Sequence, residues 1–174
     1  MKETVSLGKY LLIICASAAV LLAFTNHYTA KRIEKQQSAI KNDSFSEVLP
    51  AAAEFRVLGS SGSYEGFDAK DRRVGYVLSV STDGYSSRIE ALVGIDKKYA
   101  VTGVKILSQQ ETPGLGAKIE EKSFLGQFAG KIPEKVMLKK DGGAIDGVTS
   151  ATISSRAITD AIRNRIDEFR KNKK

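Results

Sequence analysis

The chain has 174 residues, a hydrophobic fraction of 42%, no Trp and three Pro, which supports one modest folded domain with an appendage and argues against disorder. Its formal charge of +7 does not point to nucleic acid: no RNA- or DNA-binding motif is present, and Lys and Arg gather beside the apolar amino-terminal stretch, at Lys139-Lys140 and over 163–174, as suits an anionic lipid surface. A single Cys excludes an intrachain disulfide, and one His without a Cys cluster leaves no His-rich metal site and no iron–sulfur ligand set.

After a flank over 1–9, residues 10–28 carry no formal charge and centre on Leu11, Leu12, Ile13, Ile14, Val20, Leu21, Leu22 and Phe24. At ~1.5 Å per residue this length crosses a ~30 Å hydrocarbon core, and Tyr10, Tyr28, Lys9 and Lys31-Arg32 bracket it as interfacial residues do. A single transmembrane helix is predicted over 10–28. A cleaved signal peptide, ending at Ala16-Ser17-Ala18 or Tyr28-Thr29-Ala30, fits less well because the run exceeds the ~7–15 residues of a signal core. Bulky Ile14 ahead of Cys15 speaks against a lipoprotein cysteine, and Cys15 is expected to be buried and unreactive. Lys2 and Lys9 before the run and Lys31, Arg32 and Lys35 after it leave the orientation undecided by charge.

Residues 29–43 are polar and read as a stalk. The folded domain is expected over 44–174, opened by the cap candidates Asn42-Asp43-Ser44 ahead of Phe45, Val48 and Leu49. Gly59-Ser60-Ser61-Gly62-Ser63 reads as an exposed loop. Strands follow over 74–80, 87–95 and 100–107, rich in Val, Ile and Tyr and separated by the hairpin signals Asp83-Gly84 and Asp96-Lys97-Lys98. A helix over 117–128, a short strand over 135–138 and a turn at Lys140-Asp141-Gly142-Gly143 come next. Strands in a run rather than alternating with helices predict an α+β domain, with a mostly antiparallel sheet and flanking helices.

Glu111-Thr112-Pro113-Gly114 is a turn signal, with Pro placed for its second position and Gly for its third, where positive φ is needed; Gly116 allows close backbone approach. Downstream, Asp146-Gly147-Val148-Thr149-Ser150-Ala151-Thr152-Ile153-Ser154-Ser155 crowds hydroxyls around a small Ala. It leads into a helix whose inner face carries Ala157, Ile158, Ala161, Ile162, Arg165, Ile166 and Phe169. Thr149, Ser150, Ser154 and Ser155 are either ordinary caps for orphan amides or part of a phosphate-attracting helix start.

This last stretch resembles the flavinylation motif of the FMN-binding domain family, Asp-x-x-(Ser/Thr)-Gly-Ala-Thr, with Ser150 standing where Gly is common. Glu111-Thr112-Pro113-Gly114-Leu115-Gly116 with Phe124 and Phe128, Gly75-Tyr76, Gly84-Tyr85 and Val93-Gly94-Ile95-Asp96 extend the resemblance. With its one amino-terminal apolar segment and short length, the whole chain is similar to the G-subunit family of Rnf-type ferredoxin:NAD oxidoreductase complexes. The resemblance implies FMN joined through a phosphoester to Thr152 by a flavin transferase. It also implies a site wall that includes Thr149, Ser150, Ala151, Glu111, Thr112, Leu115 and Gly116. Partner subunits of the complex and a single-pass place in the cell membrane, with the main domain on the extracytoplasmic side, are implied as well.

No acid–base pair, nucleophile–His arrangement, Walker loop or Rossmann fingerprint is visible, so the implied role is electron transfer between partner-borne centres. Two other readings stay open at this level. One is the C subunit of a sodium-pumping NADH:quinone oxidoreductase, which shares the motif but is usually longer. The other is a non-redox membrane-tethered binding domain, in which Thr152 stays unmodified.

Overall fold

The computed structural model describes residues 43–59 and 62–173 together with Leu12, Cys15, Ala16, Ala18 and Ala19. The chain divides into two units, Met1–Lys41 and Asn42–Lys174. In the first, the five described residues are helical and exposed. Cys15, expected to be buried, is exposed to solvent in the isolated chain. The span over 10–28 and the stalk over 29–43 fall mostly outside the described residues. Among those described, no helix is long and apolar enough to cross a membrane.

The second unit is built on a five-stranded antiparallel meander in the order β1 (Glu54–Leu58), β2 (Ser63–Phe67), β3 (Arg73–Asp83), β4 (Arg88–Asp96), β5 (Val101–Ser108). β3 and β4 run in unbroken register from Gly75 opposite Asp96 to Asp83 opposite Arg88. Because side chains alternate between faces, Tyr76, Leu78, Val80, Ile89, Ala91, Val93 and Ile95 enter one core while Val77 and Leu92 enter another.

The larger core is covered by α3 (Thr152–Asn172), which lays down Ile158, Ile162, Ile166 and Phe169. Each such side chain contributes roughly 1.5–3 kcal/mol on full burial. Arg165 shares that face by sending its guanidinium past the core to the Ser79 carbonyl and to Ser63 Oγ, 2.9 Å away. At the far end of α3, Lys173 Nζ donates to Tyr76 Oη (2.7 Å) and to Glu65 (3.0 Å) and lies over the Tyr76 ring. The smaller core lies under α1, helical over residues 43–48, with Phe45, Val48 and Leu49 against Val77 and Leu92. A Cβ on Gly94 would stand 2.1 Å from the Val48 carbonyl oxygen, so only glycine lets α1 end this close to β4; Thr102 Oγ1 donates to the same carbonyl at 2.5 Å.

Three expectations need correction. Residues 54–58 and 63–67 form strands that the sequence did not announce, and Ser63, read as loop, is buried and begins β2. The helix expected over 117–128 is a 3-10 turn (Gly116–Glu120), the four-residue α2 (Lys122–Leu125) and a second 3-10 turn (Gly126–Phe128). Ile119, Phe124 and Phe128 all reach the core, but a five-residue step from Ile119 to Phe124 does not fit one face of a continuous helix, and extended Glu121 supplies the break. The strand expected over 135–138 is a 3-10 turn at Pro133–Lys135 with a lone parallel bridge from Leu138 to Ile145. Val136 and Leu138 are buried there because the segment closes the core, with local bonds such as Val136 N–H to the Pro133 carbonyl taking the place of a ladder.

Candidate functional site

The start of α3 is set by a tight turn. The Ala151 amide donates to the Val148 carbonyl (3.1 Å), Ser150 sits at φ +67°, and Ala151 turns at φ −130° into the helix. The Ser155 hydroxyl fixes this turn, donating to the Ala151 carbonyl (2.8 Å) and accepting from the Val148 amide (3.0 Å). Asp146 latches the approach: its side chain pairs with Lys139 at 2.7 Å, and its backbone exchanges two bonds with the Gln127 amide. The capping alternative fails, since Ala151 occupies the N-cap and no side chain caps the helix. The first-turn amides are therefore open to an anion, where the helix dipole favours negative charge.

Opposite this turn, Leu115 N–H closes on the Thr112 carbonyl (3.1 Å) with Gly114 at φ +75°, as a type II turn requires of its third residue. Between the two turns stands Glu111, 4% exposed. Its Oε1 accepts from the amides of Ser86 and Ser87, both at 3.0 Å, and from Ser87 Oγ. Its Oε2 accepts from the Tyr85 amide and from Ser154 Oγ at 2.7 Å. Burial opposes ionisation, but the Ser154 hydroxyl and the Ser86, Ser87 and Tyr85 amides outweigh it and hold the carboxyl below its usual range. Gly84 and Gly116 make room for this carboxylate: a Cβ would meet it at 2.4 and 2.7 Å respectively. Gly116 thus makes room for a side chain of the protein itself as well as lining the cleft.

The two turns enclose a cleft of about 310 Å³. Glu111, Thr112, Leu115, Gly116, Ser150, Ala151 and Thr152 line it together; Thr149, exposed, lies outside the lining. Tyr85 and Ile153 also line it and were not among the candidates, and Ser154, read as a cap or part of a phosphate-attracting helix start, lines it as well. Tyr85 and Ile153 are 72% and 55% exposed, and an exposed Ile directly after Thr152 was a visible signal of an apolar rim. Lys140, exposed and outside the lining, donates from Nζ to Thr152 Oγ1 at 3.2 Å. The neighbouring Arg156 is committed to Asp141 through two 3.0 Å bonds, and this pairing holds the Asp141 carboxyl below its usual range.

Residues 84–167 match the family model of the FMN-binding domain. The G subunit of the ion-translocating oxidoreductase complex of Methanosarcina acetivorans is 34% identical, over 95% of this chain and 94% of its own. The corresponding G subunit of Escherichia coli is also 34% identical, over 90% and 86%. The chain belongs to this G-subunit family. A third member, from the Na(+)-translocating ferredoxin:NAD(+) oxidoreductase complex of Acetobacterium woodii, is 30% identical over 97% of this chain and 92% of its own. The fold is that of the crystallised C subunit of the Na(+)-translocating NADH-quinone reductase from Parabacteroides distasonis, with a TM-score of 0.51 at 22% identity over 63% of this chain and 60% of that one. Shewanella oneidensis NqrC gives the same TM-score at 18% identity, over 69% and 68%. Within the family motif, the left-handed backbone at Ser150 supplies the physical reason for the Gly common at that position.

Proposed function

We propose that this chain is an electron-transferring flavoprotein subunit of a membrane-bound, ion-translocating ferredoxin:NAD oxidoreductase of the Rnf type, with FMN held as a phosphoester on Thr152. The observation that carries this reading is the position of Thr152, a half-buried residue that lines the cleft at the uncapped start of α3 and whose hydroxyl accepts from Lys140. The residues present fit the group. The open amides and Lys140 suit a phosphate, and the apolar surfaces of Tyr85, Leu115 and Ile153 suit a flat aromatic ring. FMN supplies reversible one- and two-electron chemistry when bound.

Thr152 then serves as a tether, and the remaining residues set the surroundings. Glu111 braces the cleft, its oxygens taken up by protein donors. Covalent attachment answers a retention problem, because a flavin lost outside the cytoplasm is not readily replaced. The predicted span over 10–28 would anchor the chain in the cell membrane, with the FMN-bearing unit on the extracytoplasmic side and a flavin transferase attaching the cofactor there. Electrons would pass between centres carried by partner subunits. Relatives named as G subunits match nearly the whole chain, whereas likeness to the quinone-reducing C subunits rests on fold at low identity; the C-subunit reading is therefore the weaker one.

Intact mass of the full chain, expressed with and without the transferase, tests the reading. A gain of one FMN less one water, mapped to residue 152, is expected. An unchanged mass with the transferase present overturns the covalent reading, and a chain that also lacks a flavin spectrum under native conditions would be a non-redox tethered domain.

A further inference from the structure

Five hydroxyl side chains fall within residues 149–155, and the ester proposed above needs one of them. The structure separates them. Ser154 Oγ is buried and donates to Glu111, so engaging it would strip a buried carboxylate of a donor. Ser155 Oγ is buried and occupied on both sides, by the Ala151 carbonyl and the Val148 amide. Thr149 and Ser150 are exposed and, among the described residues, no charged group touches either hydroxyl. Thr152 alone of the five accepts from a cation, Lys140 Nζ. The acidic neighbours already have other partners, Asp141 with Arg156 and Asp146 with Lys139, so the Lys140 ammonium remains directed at Thr152.

Resting on the attachment reading above, we propose that Lys140 is the positioning residue that selects Thr152 for flavin transfer. Because the ammonium occupies one lone pair of Oγ1, the hydroxyl hydrogen points away from Lys140, leaving it to a base of the transferase. Oγ1 then bonds to the flavin-side phosphorus of FAD. The bond from that phosphorus to the pyrophosphate bridging oxygen breaks, AMP leaves with its electron pair, and the hydroxyl proton passes to the base. Negative charge developing on Oγ1 forms beside a fixed positive charge, and the single negative charge of the phosphodiester product stays there. Lys140 is exposed and makes no ion pair among the described residues, and its further electrostatic influence is on Asp141, which Arg156 already holds, so replacing it leaves the core intact.

The test uses the full-length chain, Lys140→Gln and Lys140→Arg, each labelled by the transferase with FAD over a range of chain concentrations. Denaturing-gel fluorescence gives the rates and peptide mapping gives the site. Lys140→Gln is expected to lower kcat of labelling about tenfold or more, the scale of a lost hydrogen bond to a charged group, with KM for the chain little changed. Lys140→Arg is expected to restore most of the rate. Equal rates for Lys140→Gln and the parent, a loss confined to KM, or an Arg variant as slow as the Gln variant would each overturn the role of Lys140 while leaving the ester in place. A parent that stays dark, or is labelled away from residue 152, would overturn the attachment itself and this inference with it.

Discussion

Ser154 Oγ reaches across 43 residues of sequence to donate to Glu111 Oε2 at 2.7 Å, and through this bond the first turn of α3 is joined to both the β3–β4 hairpin and the Gly114 turn. Removing the donor leaves a buried charge one partner short. Ser154→Ala is expected to cost roughly 1.5–3 kcal/mol, the range for hydrogen bonds to charged groups. Urea unfolding measures it, and a loss no larger than that of an exposed Ser→Ala control would show the bond to be idle.

The same carboxylate sets a pH dependence. Its folded-state value lies below the ordinary one, so the unfolded chain binds more protons across the window between them. The stability Glu111 contributes is therefore complete above the unfolded value of about 4.3 and is lost as the pH falls through the folded value. Glu111→Gln is expected to be less stable than the parent near neutral pH by roughly 1–3 kcal/mol, with the gap narrowing on acidification. Comparing the two proteins cancels the contributions of the other depressed acids, Glu65, Asp68, Glu134 and Asp141. A gap that widens toward acid would contradict the assignment.

Thr152→Val keeps the branched shape and deletes the hydroxyl. With the transferase present, this variant is expected to be folded and dark on a denaturing gel. Thr149→Val, altered outside the cleft lining, is expected to fluoresce like the parent. A fluorescent Thr152→Val band would sink the tether.

Ser150 holds a left-handed conformation at φ +67°, which costs a residue with a Cβ roughly 1–2 kcal/mol. Ser150→Gly should recover part of this, raising the melting temperature while retaining covalent flavin, and Ser150→Val should lower it. A Gly variant less stable than the parent would mean that Ser150 makes a compensating contact absent from the structure.

Gly94→Ala tests the closeness of α1 to the sheet. An added Cβ 2.1 Å from the Val48 carbonyl oxygen forces the helix outward, at the ~1–3 kcal/mol typical of overpacking or more. Gly126→Ala, where a Cβ meets nothing within 4 Å and φ is helical, serves as the neutral control. Equal denaturation midpoints would remove the packing argument.

The long central strands were legible because apolar runs rich in β-branched residues lie between the hairpin signals at Asp83-Gly84 and Asp96-Lys97-Lys98, and α3 because Ile158, Ile162 and Ile166 recur every four residues. β1 and β2 were not, since short strands with exposed Glu54, Arg56 and Val57 carry little alternation to read. Seven candidate site residues converge because two short turns bring them together; Pro113-Gly114 announced the first, whereas the left-handed Ser150 of the second carried no such local signal. Ser154 escaped because its role depends on a partner 43 residues away, which no local pattern encodes. For the same reason Glu111 read as a wall of the site, although its carboxylate is spent on the protein's own amides and hydroxyls.

The clamp of Lys173 on Tyr76 and Glu65, at the opposite end of α3 from Ser154, has a mechanical consequence. A helix tied at its first turn to Glu111 and at its end to β2 and β3 resists the fraying or pivoting that would carry a group attached at its first residue. A group attached at Thr152 would therefore be carried by the folded unit as cargo, its reach set by how that unit moves and not by a swinging arm.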